Sequence, residues 1–422
     1  MATASLSILL MASTCLAGDR SQFRGANGSG VSDEKGIATN WDGSKNIVWK
    51  TDLPGAGTSS AIVVGDRIFL TAFSGYGDDG NRMDDLQRHV ICVDRKNGKI
   101  LWDKPVPAVL PEDSYRGFLT EHGYASSTPV CDGEHVFVFF GKSGVLAFDM
   151  EGYKKWQVSV GTESSGRRWG SAASPILYKN SVIVNASDES QSIRALDKKT
   201  GKELWKAEAS GLELTFNTPS LIEADGRTDL VVAVPYEVWG LNPDTGKLAW
   251  YAETDLDGNV SPSLVHAGGI AYAIGGRSGG SLALKVGGKG DVTKNIQWTS
   301  RETSYVPSPV LVDGHLYWVN DRGIAYCVNA KTGDTVYRER LEIPGGGGFN
   351  SRPFYSSVVA ADGKLYAVSR RNGTFVLSAK PEFKQIAHNV IDDDHTDFNA
   401  TPAISHGQIF IRSNKVLYCI VE

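Results

Sequence analysis

One ten-residue pattern recurs along this chain and restricts its fold more than any other feature. Its clearest copy, Leu196–Trp205, contains an apolar residue, an Asp, a turn that includes Gly201, and a Trp four residues after that Gly. Asp197 can accept hydrogen bonds from turn amides and Gly201 can adopt a positive φ, so the segment is predicted to form two strands joined by a tight turn. Trp205 then supplies a large apolar side chain to the second strand.

Aromatic residues occupy the same position of the pattern six times, which indicates a repeat protein. They are Trp102, Trp156, Trp205, Trp250, Trp298 and Tyr337. The 45 residues between Trp205 and Trp250 match the length of a four-stranded propeller blade, roughly 40 to 50 residues. A second signature, a small residue close to a Pro, opens a strand at Pro129, Pro175, Pro219, Pro262, Pro309 and Pro402. Pro is tolerated at the start of a strand, where its missing amide costs little.

These two signatures divide the chain into eight blades. The blades cover residues 59–106, 126–160, 171–208, 217–253, 261–299, 308–341, 355–391 and 400–422. The last blade has only three strands, whereas Lys45–Lys50 matches the fourth-strand pattern without a blade before it. Pairing of these two parts would close the ring and remove its open edges. We therefore predict an all-β, eight-bladed β-propeller of four-stranded antiparallel blades over residues 45–422, closed by the N-terminal strand at about 45–50.

The start of the chain has the composition of a secretory signal peptide. A largely apolar run, Leu6–Met11, is followed by small residues up to Ala17, where a signal peptidase could cleave. We expect residues 1–17 to be the signal peptide and residues 18–44 an N-terminal extension, so that the mature protein is periplasmic or extracellular. Lipidation of Cys15 remains open, although Ala12-Ser13-Thr14 is not the usual context. No later apolar run approaches the ~18 residues that span a bilayer, so no membrane-spanning segment is expected.

The net charge argues against a nucleic-acid partner, and the positions of the cysteines argue against disulfides. The 422 residues carry a formal net charge of -5, with Lys and Arg scattered among Asp and Glu, so nucleic acid is not an expected partner. Three cysteines occupy one repeat position in different blades: Cys92, Cys327 and Cys419. Equivalent points on different blades lie beyond the ~7 Å Cα separation that a disulfide bridges. We therefore expect these cysteines to be buried free thiols. We also expect the protein to be a monomer.

The repeat resembles the pyrroloquinoline-quinone (PQQ) type propeller repeat, Ala-x-Asp-x-x-Thr-Gly-Lys-x-x-Trp. Ala195–Trp205 matches it closely, and Gly240–Trp250 and Cys327–Tyr337 match it with substitutions. Proteins with this repeat include quinoprotein alcohol dehydrogenases, periplasmic scaffolds such as the outer-membrane β-barrel assembly lipoprotein, and exported propellers of planctomycete-type bacteria. The opening Gln22–Val31 is similar to the Phe-Arg-Gly start of the last group. The dehydrogenase resemblance implies Glu, Asn and Asp ligands around Ca²⁺, an Asp base, an aromatic floor under the quinone and often a disulfide between adjacent cysteines, which this sequence lacks.

Candidate binding residues lie in the loops that lead from the outermost strand of one blade to the innermost strand of the next. They are Arg167, Arg168, Trp169, Glu213, Asn217, Asp257, Asn259, Arg352, Asp397 and Asn399. These loops meet at the funnel face of a propeller, where the three arginines could pair with carboxylates or phosphates. The alternative, which is equally open, is that these loops are polar only because they are exposed to water. Glu213, Asn217, Asp257 and Asn259 are residue types that bind Ca²⁺, but oxygen ligands are too common in loops to define a site.

The sequence favours an exported, non-enzymatic binding or scaffold propeller that recognises a protein or an envelope polymer through its funnel-face loops. No catalytic residue, metal or cofactor is assigned under this hypothesis. The alternative is a quinoprotein dehydrogenase that depends on PQQ and Ca²⁺. A polysaccharide-active enzyme would require two carboxylates ~5 to 10 Å apart across the funnel.

Overall fold

The computed structural model describes residues 18–344 and 352–422; the predicted signal peptide lies outside them. Two short strands, β1 (Val31–Ser32) and β2 (Ile47–Asp52), come first. Blade 1 contains β3 (Ile62–Val64), β4 (Arg67–Ser74), β5 (Gln87–Asp94) and β6 (Ile100–Pro107). Blade 2 contains β7 (Val130–Cys131), β8 (His135–Phe139), β9 (Val145–Asp149) and β10 (Lys154–Val158). Blade 3 contains β11 (Ile176–Tyr178), β12 (Ser181–Ala186), β13 (Ser192–Asp197) and β14 (Glu203–Glu208).

The remaining blades follow the same plan. Blade 4 contains β15 (Ser220–Ala224), β16 (Arg227–Val234), β17 (Glu237–Leu241) and β18 (Leu248–Glu253). Blade 5 contains β19 (Val265–Ala267), β20 (Ile270–Ile274), β21 (Ser281–Lys285) and, after the short β22 (Gly290–Asp291), β23 (Ile296–Ser300). Blade 6 contains β24 (Val310–Val312), β25 (His315–Val319), β26 (Ile324–Asn329) and β27 (Thr335–Arg340). Blade 7 contains β28 (Val359–Ala361), β29 (Lys364–Val368), β30 (Thr374–Ser378) and β31 (Gln385–Asn389), and blade 8 contains β32 (Ala403–Ser405), β33 (Gln408–Arg412) and β34 (Val416–Ile420).

Within residues 18–344 and 352–422, helical structure is confined to short loop segments. Two α-helical turns are α1 (Leu119–His122) and α2 (Ser187–Ser190), and the 3₁₀ turns are Ala26–Gly28, Met83–Asp85, Gly141–Ser143, Ser210–Leu212 and Thr293–Asn295. Within the described residues, no helix is both long enough and apolar enough to cross a membrane.

The two ends of the chain close the ring in one sheet. Strand β2 pairs antiparallel with β34, with Trp49 opposite Cys419, and the sheet order is β2-β34-β33-β32. The predicted eight-bladed fold and its closure by the N-terminal strand are therefore confirmed. Blades 4 and 7 each gain a fifth strand: β22 pairs in parallel with β18, and β1 pairs in parallel with β28.

The repeat pattern joins each blade to its neighbour. Asp197 Oδ1 accepts hydrogen bonds from the amides of Lys199 and Thr200, at 3.1 and 2.9 Å, and holds the turn. Gly201 has a φ of 72°, and a Cβ there would lie 2.8 Å from the ring of Trp156 in the preceding blade. Trp205 in turn donates from Nε1 to the carbonyl of Pro243 in the next blade, at 2.9 Å. The glycine turn of the following blade likewise lies against Trp102, Trp205 and Trp298.

Trp250 departs from this arrangement. Its Nε1 donates to Asp229 Oδ2 of its own blade at 2.7 Å instead of to blade 5. The residue opposite Trp250 in the sheet is Gly240, where a Cβ would lie only 2.0 Å from the indole. The indole therefore folds against its own blade because Gly240 leaves room for it, whereas Ala195 stands opposite Trp205 in blade 3.

Three thiols lie in the interior between blades. Cys92, Cys327 and Cys419 are buried and form no disulfide. Burial raises the pKa of Cys92 and of Cys419 to about 12 and the pKa of Cys327 to about 11. The prediction of buried, unbridged thiols is confirmed for these residues.

The segment after residue 17 crosses the end of the ring opposite the funnel face. Arg20 exchanges backbone hydrogen bonds with Val63 of blade 1, and the Ser21 carbonyl accepts from the Cys131 amide of blade 2 at 2.8 Å. The Gly30 carbonyl then accepts from the Ala360 amide of blade 7, also at 2.8 Å. Innermost strands begin at the funnel loops, and these contacts are made by the second residue or the last residue of such a strand, away from the funnel loops. The segment therefore covers that end of the axial channel.

Candidate functional site

An axial chamber lies where the innermost strands of the eight blades meet. Each blade contributes two residues, two positions apart, to its wall. The pairs are Thr58/Ser60, Ser126/Thr128, Ala172/Ser174, Phe216/Thr218, Ser261/Ser263, Val306/Ser308, Tyr355/Ser357 and Asn399/Thr401. The space in the chamber and at its mouth, counted together with the open solvent there, is about 740 Å³. Phe23 of the N-terminal segment also lines it.

The second residue of every pair carries a hydroxyl group, and these hydroxyls form a ring, which we call the hydroxyl ring. Seven of the eight oxygens accept a hydrogen bond from the backbone N–H of the equivalent residue one blade earlier, at 2.9 to 3.1 Å. The Ser60 amide donates to the Thr128 hydroxyl, and each amide in turn donates to the hydroxyl of the next blade. The order is Ser60, Thr128, Ser174, Thr218, Ser263, Ser308, Ser357 and Thr401. This ring ties the first strands of neighbouring blades together.

The hydroxyl ring is interrupted where blade 8 meets blade 1. Ser60 Oγ is buried and has no hydrogen-bond partner among the described residues. The buried Arg412 joins these two blades instead, because its Nη1 donates to Ser59 Oγ at 2.9 Å and to the Ser59 carbonyl at 3.2 Å. Burial lowers the pKa of Arg412 to about 9.

An aromatic cluster covers the funnel end of the chamber. Phe118 lies at its centre, with ring centroids 5.0 Å from Trp169, 5.8 Å from Tyr305 and 6.2 Å from Tyr355. Trp169 also lies 5.9 Å from Phe216. Phe118 comes from the loop between blades 1 and 2, so this loop reaches over the axis of the ring.

Helix α1 fixes that loop over the chamber. Asn399 donates from Nδ2 to the Glu121 carbonyl at 2.7 Å, and Thr58 donates from Oγ1 to the His122 carbonyl at 3.1 Å. Arg370 forms a close ion pair with Glu121. His122 is buried, which lowers its pKa to about 4 and keeps the imidazole neutral at physiological pH. His122 Nδ1 and Asn399 Oδ1 have no hydrogen-bond partner within the described part of the chain.

The structure brings some of the candidate residues to this mouth. Trp169 and Asn399 line the chamber itself. The Arg167 guanidinium lies 5.6 Å from the Trp169 ring centroid, and the Arg352 guanidinium lies 4.6 Å from the ring of Tyr305. Arg167 and Arg352 are both exposed, so they surround the aromatic cluster on its solvent side.

The other candidate residues mainly hold loops. Glu213 Oε1 accepts from the Gly166 amide at 3.2 Å, and Asp257 Oδ1 accepts from the Ser278 amide at 2.7 Å. Asn217 is fully buried and donates from Nδ2 to two backbone carbonyls.

Three further candidates complete the set. Asn259 Nδ2 lies 3.5 Å from Ser261 Oγ, and Asp397 forms a close ion pair with Arg371. Arg168 is exposed in a turn with a φ of 55°.

The described residues do not fit PQQ and Ca²⁺. Within 18–344 and 352–422, no group of three or more His, Cys, Asp and Glu is arranged to hold a metal ion. PQQ is a tricarboxylate, but no residue that lines the chamber is charged, and Phe118 occupies the axis beneath the mouth. Buried carboxylates without cationic partners would be strongly unfavourable.

Sequence analysis missed the hydroxyl ring, although its signal was present. Five of the eight ring residues come directly before Pro in the strand-opening signature: Thr128, Ser174, Thr218, Ser308 and Thr401. In the strand-opening signature, Pro explains only why a strand can begin there. The Ser or Thr before it has the more specific role, since its hydroxyl bonds to the neighbouring blade.

Sequence analysis also missed a buried charged cluster to which blades 1, 2 and 3 contribute. It comprises Arg88, Glu112, Asp113, Lys142, Asp188 and Glu189. Arg88 pairs with Glu112, and Lys142 lies 3.3 Å from Asp113. Burial, together with the neighbouring Asp188 charge, raises the pKa of Glu189 to about 8. These residues come from strand β5, helix α2 and the loops between them, so no local pattern reveals them.

The fold and the repeat contacts define a β-propeller of the PQQ-like, quinoprotein alcohol dehydrogenase-like class. The sequence profile of the family described as outer membrane protein assembly factor BamB matches residues 86–339, and the chain belongs to this family. No curated protein matches the sequence.

Solved structures share the fold at low sequence identity. BamB from Moraxella catarrhalis is 14% identical with a TM-score of 0.64, covering 89% of this chain and 97% of that one. A europium-containing methanol dehydrogenase is 12% identical with a TM-score of 0.65, covering 96% and 98%. The quinohemoprotein alcohol dehydrogenase from Comamonas testosteroni is 11% identical with a TM-score of 0.63, covering 97% and 81%. At these identities the likeness shows the fold alone.

Proposed function

We propose that this protein is an exported, monomeric, non-enzymatic scaffold whose funnel face binds a partner in the cell envelope. The observation that carries the proposal is the set of exposed arginines stacked on aromatic rings around the channel mouth. Membership of the assembly-factor family supports a protein as the partner, and an envelope polymer is the second possibility. Export rests on the composition of residues 1–17.

The mouth has the chemistry of a binding surface for acidic groups. The Arg167 guanidinium lies over the Trp169 ring and the Arg352 guanidinium over the Tyr305 ring. Arg352 Nε also lies 3.6 Å from Asp321 Oδ2, whereas Arg168 is exposed beside Arg167. Arginine and aromatic side chains supply much of the binding energy at protein interfaces. A stacked guanidinium is already oriented, so it loses less conformational freedom when it pairs with a carboxylate.

Site-specific photo-crosslinking in the native host tests the proposal. A photoreactive residue at Arg168 should crosslink one discrete envelope protein, whereas the same residue at Tyr153, which is 67% exposed on the rim of blade 2, should not. Arg167→Glu should weaken the crosslink made at position 168 by charge repulsion. Equal crosslinking from both positions, or no effect of Arg167→Glu, would contradict a funnel-face partner.

The second candidate is a dehydrogenase that depends on PQQ and Ca²⁺. Its support is the shared fold with the methanol and alcohol dehydrogenases. Against it stand the uncharged chamber wall and the position of Phe118. Purified protein can be mixed with PQQ and Ca²⁺ and assayed for a bound-quinone spectrum and for dye reduction that depends on alcohol. Stoichiometric binding with turnover would replace the scaffold proposal.

A further inference from the structure

We propose that the axial chamber binds an uncharged, hydroxyl-rich ligand of monosaccharide size, either a free sugar or the terminal residue of a glycan. This site differs from the funnel mouth of the scaffold proposal. It lies beneath the aromatic cluster, and its wall is formed by the hydroxyl ring.

The hydroxyl ring offers hydrogen-bond donors to the chamber. A Ser or Thr hydroxyl carries one donor and two acceptor sites. In seven members, one acceptor site is already used by a backbone N–H of the preceding blade. No group within the described residues accepts the proton of these seven hydroxyls. The oxygen atoms of a ligand in the chamber could accept these protons, about two at each oxygen.

The same chamber also contains an unsatisfied acceptor. Asn399 Oδ1 has no hydrogen-bond partner among the described residues, and Asn399 is only 5% exposed. The Asn399 amide nitrogen is committed to the Glu121 carbonyl, so its oxygen is left for a ligand. An unpaired buried polar group costs about 1–3 kcal/mol. The ligand therefore has to donate as well as accept, as a hydroxyl group does.

The chamber wall selects against charge. None of its lining residues is Asp, Glu, Lys or Arg, and the lowered pKa keeps His122 neutral. An ionised ligand would lose its hydration without gaining a counter-charge. A neutral ligand does not face this cost.

Aromatic rings face the chamber at both ends. Phe23 lines it on the side of the N-terminal segment, and Phe118 and Trp169 line it on the funnel side. Water forms no favourable contact with these apolar ring faces, whereas the C–H face of a pyranose packs against aromatic rings.

Calorimetry on the purified full mature chain tests this proposal. The probes are glucose, galactose, N-acetylglucosamine and myo-inositol, with glucuronate as the charged counterpart of glucose. At least one neutral probe should bind with one-to-one stoichiometry and quench tryptophan fluorescence, and glucuronate should bind more weakly than glucose. Neutral oligosaccharides ending in the bound sugar distinguish a glycan terminus, which they would reproduce, from a free sugar.

Two variants locate the binding. Asn399→Leu and Trp169→Leu should each weaken binding by about tenfold, the effect of losing one buried interaction, whereas Tyr153→Ala on the rim should not. Trp169 is half-buried in a loop, so its variant tests the site even if Asn399→Leu fails to fold. No binding by any neutral probe below about 10 mM, equal affinity for glucuronate and glucose, or unchanged binding in Trp169→Leu would show that the chamber holds water only. Those results would leave the crosslinking test of the scaffold proposal unaffected.

Discussion

The indole Nε1 of Trp49 donates a hydrogen bond of 3.0 Å to the carbonyl of Arg95, and this contact joins the last blade to the first. Trp49 belongs to the N-terminal strand β2 but completes blade 8. Its ring lies against Gly98, where a Cβ would approach within 2.6 Å. The seam between the two ends of the chain therefore uses the same contact that joins blades inside the ring.

Removal of the Trp49 side chain is expected to weaken the whole propeller. Trp49 is 8% exposed, and truncation of a buried Trp to Ala costs about 3–5 kcal/mol. Trp49→Phe should lose only about 1 kcal/mol, for one hydrogen bond. Urea unfolding measures both free energies, with Tyr153→Ala as the surface control. An unfolding midpoint for Trp49→Ala equal to that of the wild type would mean that the seam does not stabilise the ring.

Replacement by Ala should lower the free energy of unfolding by different amounts at two glycines that have the same φ. Gly201 and Gly226 both have a φ of 72°, but a Cβ at Gly201 would lie 2.8 Å from Trp156, whereas nothing lies within 4 Å at Gly226. Gly226→Ala should lower the free energy of unfolding by about 1 kcal/mol through backbone strain alone. Gly201→Ala should cost about 1–3 kcal/mol more, because the indole has to move. Equal losses in thermal or urea unfolding would refute the packing role of the turn.

Glu189 should make the protein less stable as the pH rises. Its pKa rises from 4.5 in the unfolded chain to about 8 in the fold, through burial and the charge of Asp188. The folded state binds the extra proton, so this stabilising contribution is complete below pH 4.5 and is lost progressively up to about pH 8. The change is on the order of a few kcal/mol.

Glu189→Gln should remove most of this pH dependence. The variant should be more stable than the wild type at pH 8.5, and the difference should shrink towards pH 5. Urea unfolding at several pH values measures it, with the exposed Glu134→Gln as control. Parallel pH profiles for wild type and Glu189→Gln would show that the Glu189 carboxyl is not protonated in the fold.

The N-terminal segment should protect three amides in different blades. The amides of Val63, Cys131 and Ala360 donate to carbonyls of Arg20, Ser21 and Gly30. Deletion of residues 18–31 should therefore speed hydrogen exchange at these amides, while amides of β16 in blade 4 stay protected. Mass spectrometry or NMR can follow the exchange. Retained protection at Val63 and Cys131 would place the segment elsewhere.

The repeated contacts could be predicted from sequence because each depends on residues close together in the chain. The turn from Asp197 to Gly201 has the hydrogen bonds and the positive φ that its sequence predicts. The contact made by Trp250 could not be predicted in this way. Its pattern resembles that of Trp205, yet Gly240 across the strand pair turns its indole back onto its own blade.

The sequence by itself determined the number of blades, the strand that closes them and the class of repeat. Those features follow from local periodicity and from the count of strands. The chamber was decided only by the tertiary structure, since its wall combines two residues from every blade, from Thr58 to Thr401. Such residues meet only after the ring closes. No local pattern shows that Phe118 reaches the axis or that Asn399 Oδ1 has no hydrogen-bond partner among the described residues.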